Sequence, residues 1–137
     1  MLSSRIIVTG DTGTGKSTIA RWLARRNNAF FIPSFSSYGG TQEQMLTRAM
    51  QNHIQFMQSG SVVMDRGVID VYMYEKIHLD TERLRGFVKD VVTETAGNTL
   101  YVVLSKKRRP NGSDRSIETA EETVKFLVEC GCAFILC

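Results

Sequence analysis

The chain has little with which to cross-link itself. Its three cysteines, Cys130, Cys132 and Cys137, crowd the last residues. An odd count excludes a closed disulfide framework, and three thiols fall short of a four-cysteine zinc site. They read as buried or incidental thiols. No apolar run approaches the roughly 18 residues of a membrane-crossing helix, and Met1 to Thr9 leads into a strand-like segment without a signal-peptide pattern. A cytoplasmic protein with no membrane partner is expected. Charge of one sign is also in short supply: 17 Lys plus Arg against 14 Asp plus Glu give a net charge of +3. So small an excess does not by itself imply nucleic acid, which is the less favoured partner.

What is present describes one ordinary domain. The 137 residues are 42% hydrophobic and 23% charged, enough to bury a core and too mild for disorder. Five runs rich in Val, Ile, Phe or Leu, at 5–9, 29–33, 61–65, 99–104 and 133–137, each predict a buried strand. Between them the apolar spacing turns helical. Leu84, Phe87, Val88, Val91 and Val92 follow it, and so, nearly as well, do Met45, Leu46, Ala49, Met50, Ile54 and Met57. Thr41 with Gln44 forms a capping box, Asp80 caps the helix of Leu84, and Gly131 stands where a left-handed C-terminal residue belongs. Strands alternating with helices, without repeats or low-complexity linkers, predict an α/β fold: a five-stranded, mainly parallel sheet with helices on both faces, as a single domain over 1–137.

The first strand runs into Gly10-Asp11-Thr12-Gly13-Thr14-Gly15-Lys16-Ser17 and then the helical segment from Thr18 to Arg26, the GxxxxGK[ST] phosphate loop in its strand–loop–helix context. Glycines let successive N–H groups point inward, and the helix adds its positive end. Gly10, Thr12, Gly13, Thr14, Gly15, Lys16, Ser17 and Thr18 are therefore the expected donor site, with Lys16 on the terminal phosphates of ATP and the Ser17 hydroxyl on Mg²⁺.

The third run ends Met64-Asp65-Arg66-Gly67, which places Asp65 at a strand C-terminus, where ligands sit in open α/β sheets. The guanine-reading NKxD of a switch GTPase is missing, and Arg66 stands where a hydrolytic ATPase more often has Glu. An arginine beside a metal-binding carboxylate suits a second anionic substrate in line with the γ-phosphate, which favours phosphoryl transfer over hydrolysis.

With these features the chain resembles nucleoside and nucleotide kinases, thymidylate kinases in particular. Asp65, Arg66 and Tyr74 match that family's DRYxxSxxAYQ stretch, and Tyr38-Gly39-Gly40-Thr41 looks like the GGT that opens its substrate-side helix. The basic segment 105–116 is similar to the family's lid, in which Arg108, Arg109 and Arg115 would close over the transferring group. Departures are Gly67 for Tyr, Asp70 for Ser, Thr12 where many members carry a carboxylate, and no REP before Gly39.

The resemblance implies ATP and Mg²⁺ as cofactors, Ser17 and Asp65 on the metal, and a small-molecule nucleotide acceptor. It implies Lys16, Asp65, Arg66, Arg109 and Arg115 as catalytic groups, and a homodimer. Phe35, Tyr38 and Tyr74 are candidates to stack an acceptor base, Arg66 to bind its phosphate and Arg48 to reach across from the helix after Gly40. Trp22, His53 and His78 read as structural. A dTMP-like monophosphate is the favoured acceptor. A deoxynucleoside, a small metabolite or a nucleic-acid 5′-end stays open, as does an ATP-binding regulatory module.

Overall fold

Long crossovers between short strands allow parallel pairing, and parallel pairing is what forms. The computed structural model describes residues 4–10, 15–75, 81–105 and 115–137, with the backbone alone at 37, 38, 74, 75, 81 and 115–119. In chain order the elements are β1 (Arg5–Gly10), α1 (Lys16–Arg26), β2 (Phe30–Ile32), a 3₁₀ turn (Phe35–Tyr38), α2 (Gln42–Gln58) and β3 (Val62–Asp65). There follow α3 (Val68–Glu75), α4 (Thr81–Glu94), a second 3₁₀ turn (Ala96–Asn98), β4 (Leu100–Leu104), α5 (Arg115–Glu129) and β5 (Ala133–Leu136). The sheet order is β2-β3-β1-β4-β5, every pairing parallel.

Side chains alternate across the central strand, and each face takes its own helices. Ile6 and Val8, with Val63, Val102 and Leu104, meet Ala20 and Ala24 of α1. Ile7, with Ile32, Met64, Tyr101 and Val103, faces the larger core, built from Ala49 and Phe56 of α2, Val68 and Ile69 of α3, Val88 and Val92 of α4, and Leu127 of α5. The expected five-stranded α/β architecture with helices on both faces is what the chain adopts.

Several expectations are corrected. The outermost strands are only partly buried: Ala133, Ile135 and Leu136 of β5 and Phe30 of β2 are exposed because these strands form the sheet edges, while Ile32 reaches the core. On α2 Met45, Leu46, Ala49 and Met50 meet the core as expected, but the stripe continues through His53 and Phe56, and Ile54 and Met57 point to solvent. Arg5 fixes that rotation: its guanidinium lies 4.5 Å from the Phe56 ring centroid and donates to the Phe56 carbonyl at 3.0 Å. Phe87 is likewise exposed, at the margin of the α4 stripe. Trp22 does not pack either; it is 58% exposed, on the side of α1 away from Ala20 and Ala24. The Thr41–Gln44 capping box forms, with bonds of 3.2 and 2.9 Å. Gly131 is left-handed at φ 76. Asp80 and His78 lie outside the described residues. Among the described residues no helix is long and apolar enough to cross a membrane.

Candidate active site

The site begins where β1 leaves the sheet. Gly10 pairs in register with Leu104 at φ 120. A Cβ there would lie 2.1 Å from the Leu104 carbonyl oxygen, so only glycine fits. Gly15, left-handed at φ 80, starts α1 without a side-chain cap. Its first-turn N–H groups therefore face outward with the positive end of the helix, an arrangement that attracts phosphate. Lys16 is buried and folds back, its Nζ donating to the Gly10 carbonyl at 3.2 Å. Thr12, Gly13 and Thr14 lie outside the described residues.

Parallel register sets Asp65 of β3 beside Val8 of β1, at the same carboxyl edge. There the Ser17 hydroxyl donates to Asp65 Oδ2 at 2.7 Å, uniting the two predicted metal ligands. The other oxygen, Oδ1, is buried and has no hydrogen-bond partner among the described residues. Among those residues no group of three or more His, Cys, Asp or Glu could hold a metal. A hydroxyl and one carboxylate with a spare oxygen are a fitting donor set for Mg²⁺, which keeps waters and takes remaining ligands from phosphates.

The next residue turns sharply. Arg66 is left-handed at φ 67, and its backbone N–H donates to the Val8 carbonyl at 2.8 Å. At Gly67 a Cβ would lie 3.2 Å from Ile7 Cγ2, a tight contact to which the Ile7 side chain would have to give way. The turn is held from behind by Asp70, a residue noted in the sequence only as a departure from the family pattern. Asp70 is fully buried, accepting from the Gly67 N–H at 2.8 Å and from the Thr9 hydroxyl. Burial pushes its carboxyl above the usual carboxylate range, against the pull of those two bonds and of the positive charges on Arg66 and Lys16. A signal was available: an acid three residues after Gly67, at the start of a helix, is half of a capping box.

Gly15, Lys16, Ser17, Thr18, Ser34, Ser36 and Arg66 line one cavity of about 270 Å³. The structure thus brings the described part of the donor loop and Arg66 together. Ser34 and Ser36 were missed. They belong to the turn after β2, with hydroxyls 2.7 Å apart, and only the tertiary fold carries that turn to the phosphate loop.

Two acceptor candidates are placed elsewhere. Phe35 is 4% exposed within the larger core, so its ring has no face open to a base. Arg48 is committed to the backbone of the turn, its Nε donating to the Phe35 carbonyl at 2.9 Å and its Nη2 to the Gly39 carbonyl. It fastens this turn to α2. Tyr38 closes the turn and Tyr74 lies in α3, but their side chains are outside what is described, as is that of Arg115 at the start of α5. Arg108 and Arg109 are outside the described residues altogether.

Sheet order, phosphate loop and the Asp65 edge define a P-loop kinase fold. Solved structures agree. NadR, in complex with NR, superposes with a TM-score of 0.75 at 21% identity, over 98% of this chain and 43% of that one. Thymidylate kinase from Ehrlichia chaffeensis has a TM-score of 0.58 at 12% identity, covering 97% and 93% of the two chains. YorR from Bacillus subtilis, in complex with phosphorylated GDP, has 0.56 at 18% identity, covering 96% and 84%. The chain therefore spans less than half the length of NadR. The sequence matches no family model and no curated protein.

Proposed function

We propose that residues 1–137 act as a single kinase domain, transferring the γ-phosphate of ATP to a (deoxy)nucleoside monophosphate, with a dTMP-like acceptor favoured. One observation supports the reading: Arg66 lines the same cavity as Gly15, Lys16 and Ser17, and on this reading its guanidinium would stand beside the donor's terminal phosphate. A cation there can hold a second anion in line with the transferring phosphate and neutralise its charge.

In this scheme the N–H groups at the start of α1 and the Lys16 ammonium grip the donor phosphates. Arg66 binds the acceptor phosphate and aligns one of its oxygens with the γ-phosphorus. That oxygen forms the new P–O bond as the bond to the β–γ bridging oxygen breaks, and ADP departs with the electron pair. Ser17 and Asp65 would hold Mg²⁺, which supplies charge neutralisation on the β- and γ-phosphate oxygens when bound. Arg108, Arg109 and Arg115 are assigned to the lid that excludes water.

A second reading, transfer to a sugar-type hydroxyl, is favoured by the Ser34–Ser36 hydroxyl pair in the cavity wall. On that reading Asp65 would accept the acceptor's proton. The test is ADP release from Mg-ATP with separate panels of nucleoside monophosphates, nucleosides and 5′-hydroxyl oligonucleotides. Turnover on the monophosphates alone supports the proposal. Turnover confined to nucleosides moves the assignment to the hydroxyl reading, and ATP binding without turnover on any panel refutes a nucleotide, nucleoside or nucleic-acid acceptor.

A further inference from the structure

A net charge of +3 hides an uneven distribution. Residues 12–42 contain no aspartate or glutamate, yet α1 within that stretch carries Arg21, Arg25 and Arg26. With Ala20 and Ala24 turned to the sheet, helical geometry brings Arg21 and Arg25, and beside them Trp22 and Arg26, onto the outer side as two i, i+4 pairs. None of the three guanidiniums has a carboxylate partner among the described residues. Like charges four residues apart destabilise a helix, and α1 has no acid to relieve them.

Aromatic surface is interleaved with this charge. The Arg21 guanidinium lies 5.7 Å from the Phe31 ring centroid, and that of Arg26 lies 5.7 Å from the Trp22 ring. Between α1 and β2 a cavity of about 420 Å³ is lined by Arg21, Arg25, Asn28 and Phe31, with Ala24 and Ala29. Trp22 stands outside it, an exposed indole among cations.

We propose that this outer side of α1, with the flank of β2, binds single-stranded nucleic acid, its phosphates on Arg21, Arg25 and Arg26 and a base against Trp22. A single strand offers both things the surface is short of: closely spaced negative charge, and flat rings able to stack on an indole or a guanidinium. An anionic membrane would match the charge, but the exposed side of α1 has one large apolar side chain to insert, not a stripe. The surface lies beyond the first turn of α1 and is separate from the donor cavity, so the inference stands apart from the acceptor assignment.

Trp22 is the only tryptophan of the chain, so its emission reports on the surface directly. Titrating the full chain with an oligothymidylate of about 15 nucleotides should quench that emission. The logarithm of the affinity should fall with log salt at a slope of about −2, from about 0.7 for each of three phosphates neutralised. The Arg21→Glu/Arg25→Glu double variant should bind at least about tenfold more weakly, and Arg26→Gln should lower the slope by about 0.7. The Lys16→Ala variant should bind the oligonucleotide as the unaltered chain does. Absence of quenching, or unaltered affinity in both arginine variants, overturns the proposal. Loss of binding in Lys16→Ala also overturns it, by placing the strand in the donor site. So does charge-sensitive quenching by phosphatidylserine vesicles without any by the oligonucleotide.

Discussion

Replacing Arg66 by glycine and, separately, by alanine divides its backbone role from its side-chain role. Arg66 is left-handed at φ 67, pinned on one side by the Val8 carbonyl and on the other by the Gly67–Asp70 bond, each at 2.8 Å. A non-glycine residue in that region is strained by roughly 1–2 kcal/mol. Glycine escapes the strain but loosens the unfolded chain, which costs about 0.4–1 kcal/mol relative to alanine. The difference leaves Arg66→Gly more stable than Arg66→Ala by about 0.5–1 kcal/mol, or roughly 2–4 °C in Tm for a domain of this size. Neither variant carries a guanidinium, so both should lose transfer to dTMP while keeping ATP affinity. Parallel thermal melts and a transfer assay make the comparison. An alanine variant melting at or above the glycine variant would refute the strained turn, and transfer surviving in either would refute the acceptor role.

Three further outcomes follow from buried geometry. Gly10→Ala sets a methyl 2.1 Å from the Leu104 carbonyl oxygen at φ 120, and should lower unfolding free energy by about 3 kcal/mol or more in chemical denaturation. Asp70→Ala leaves the buried Gly67 N–H and Thr9 hydroxyl without their acceptor, a loss of about 2–5 kcal/mol, and should reduce turnover by loosening Arg66. Burial lowers the His53 pKa, with Glu94 opposing and Arg5 assisting, so the folded chain keeps this ring neutral where the unfolded chain protonates it. The unfolded state then binds more protons, so this contribution to stability is complete above about pH 6.5 and falls as pH drops toward the lowered pKa. Urea midpoints at pH 7.5 and 5.5 should diverge more in the unaltered chain than in His53→Gln, and equal divergence would contradict the assignment.

Much of the fold was legible because its signals are local. Runs of β-branched residues, the capping box at Thr41 and the left-handed Gly131 each work within a few residues, and each predicts its element correctly. The phosphate loop is readable for the same reason, since the consecutive residues 10–17 carry its motif. What failed depends on distant partners. The rotation of α2 follows from Arg5, some fifty residues earlier, which caps the helix through the Phe56 carbonyl and covers the Phe56 ring. Edge exposure of β5 depends on strand order, which composition does not contain. Phe35 and Trp22 were misjudged in opposite directions, since aromatic character says nothing about which side of a turn or helix meets the core. Ser34 and Ser36 had no local mark, and Asp70 carried one that reads as capping.

Transfer of label from [γ-³²P]ATP to dTMP in the presence of Mg²⁺, by the unaltered chain and by Arg66→Ala, tests the central claim most directly. The account predicts labelled dTDP, formed at least about a hundredfold more slowly by the variant at unchanged ATP affinity. Label released as inorganic phosphate, or moved to dTMP equally well without the Arg66 guanidinium, would contradict it.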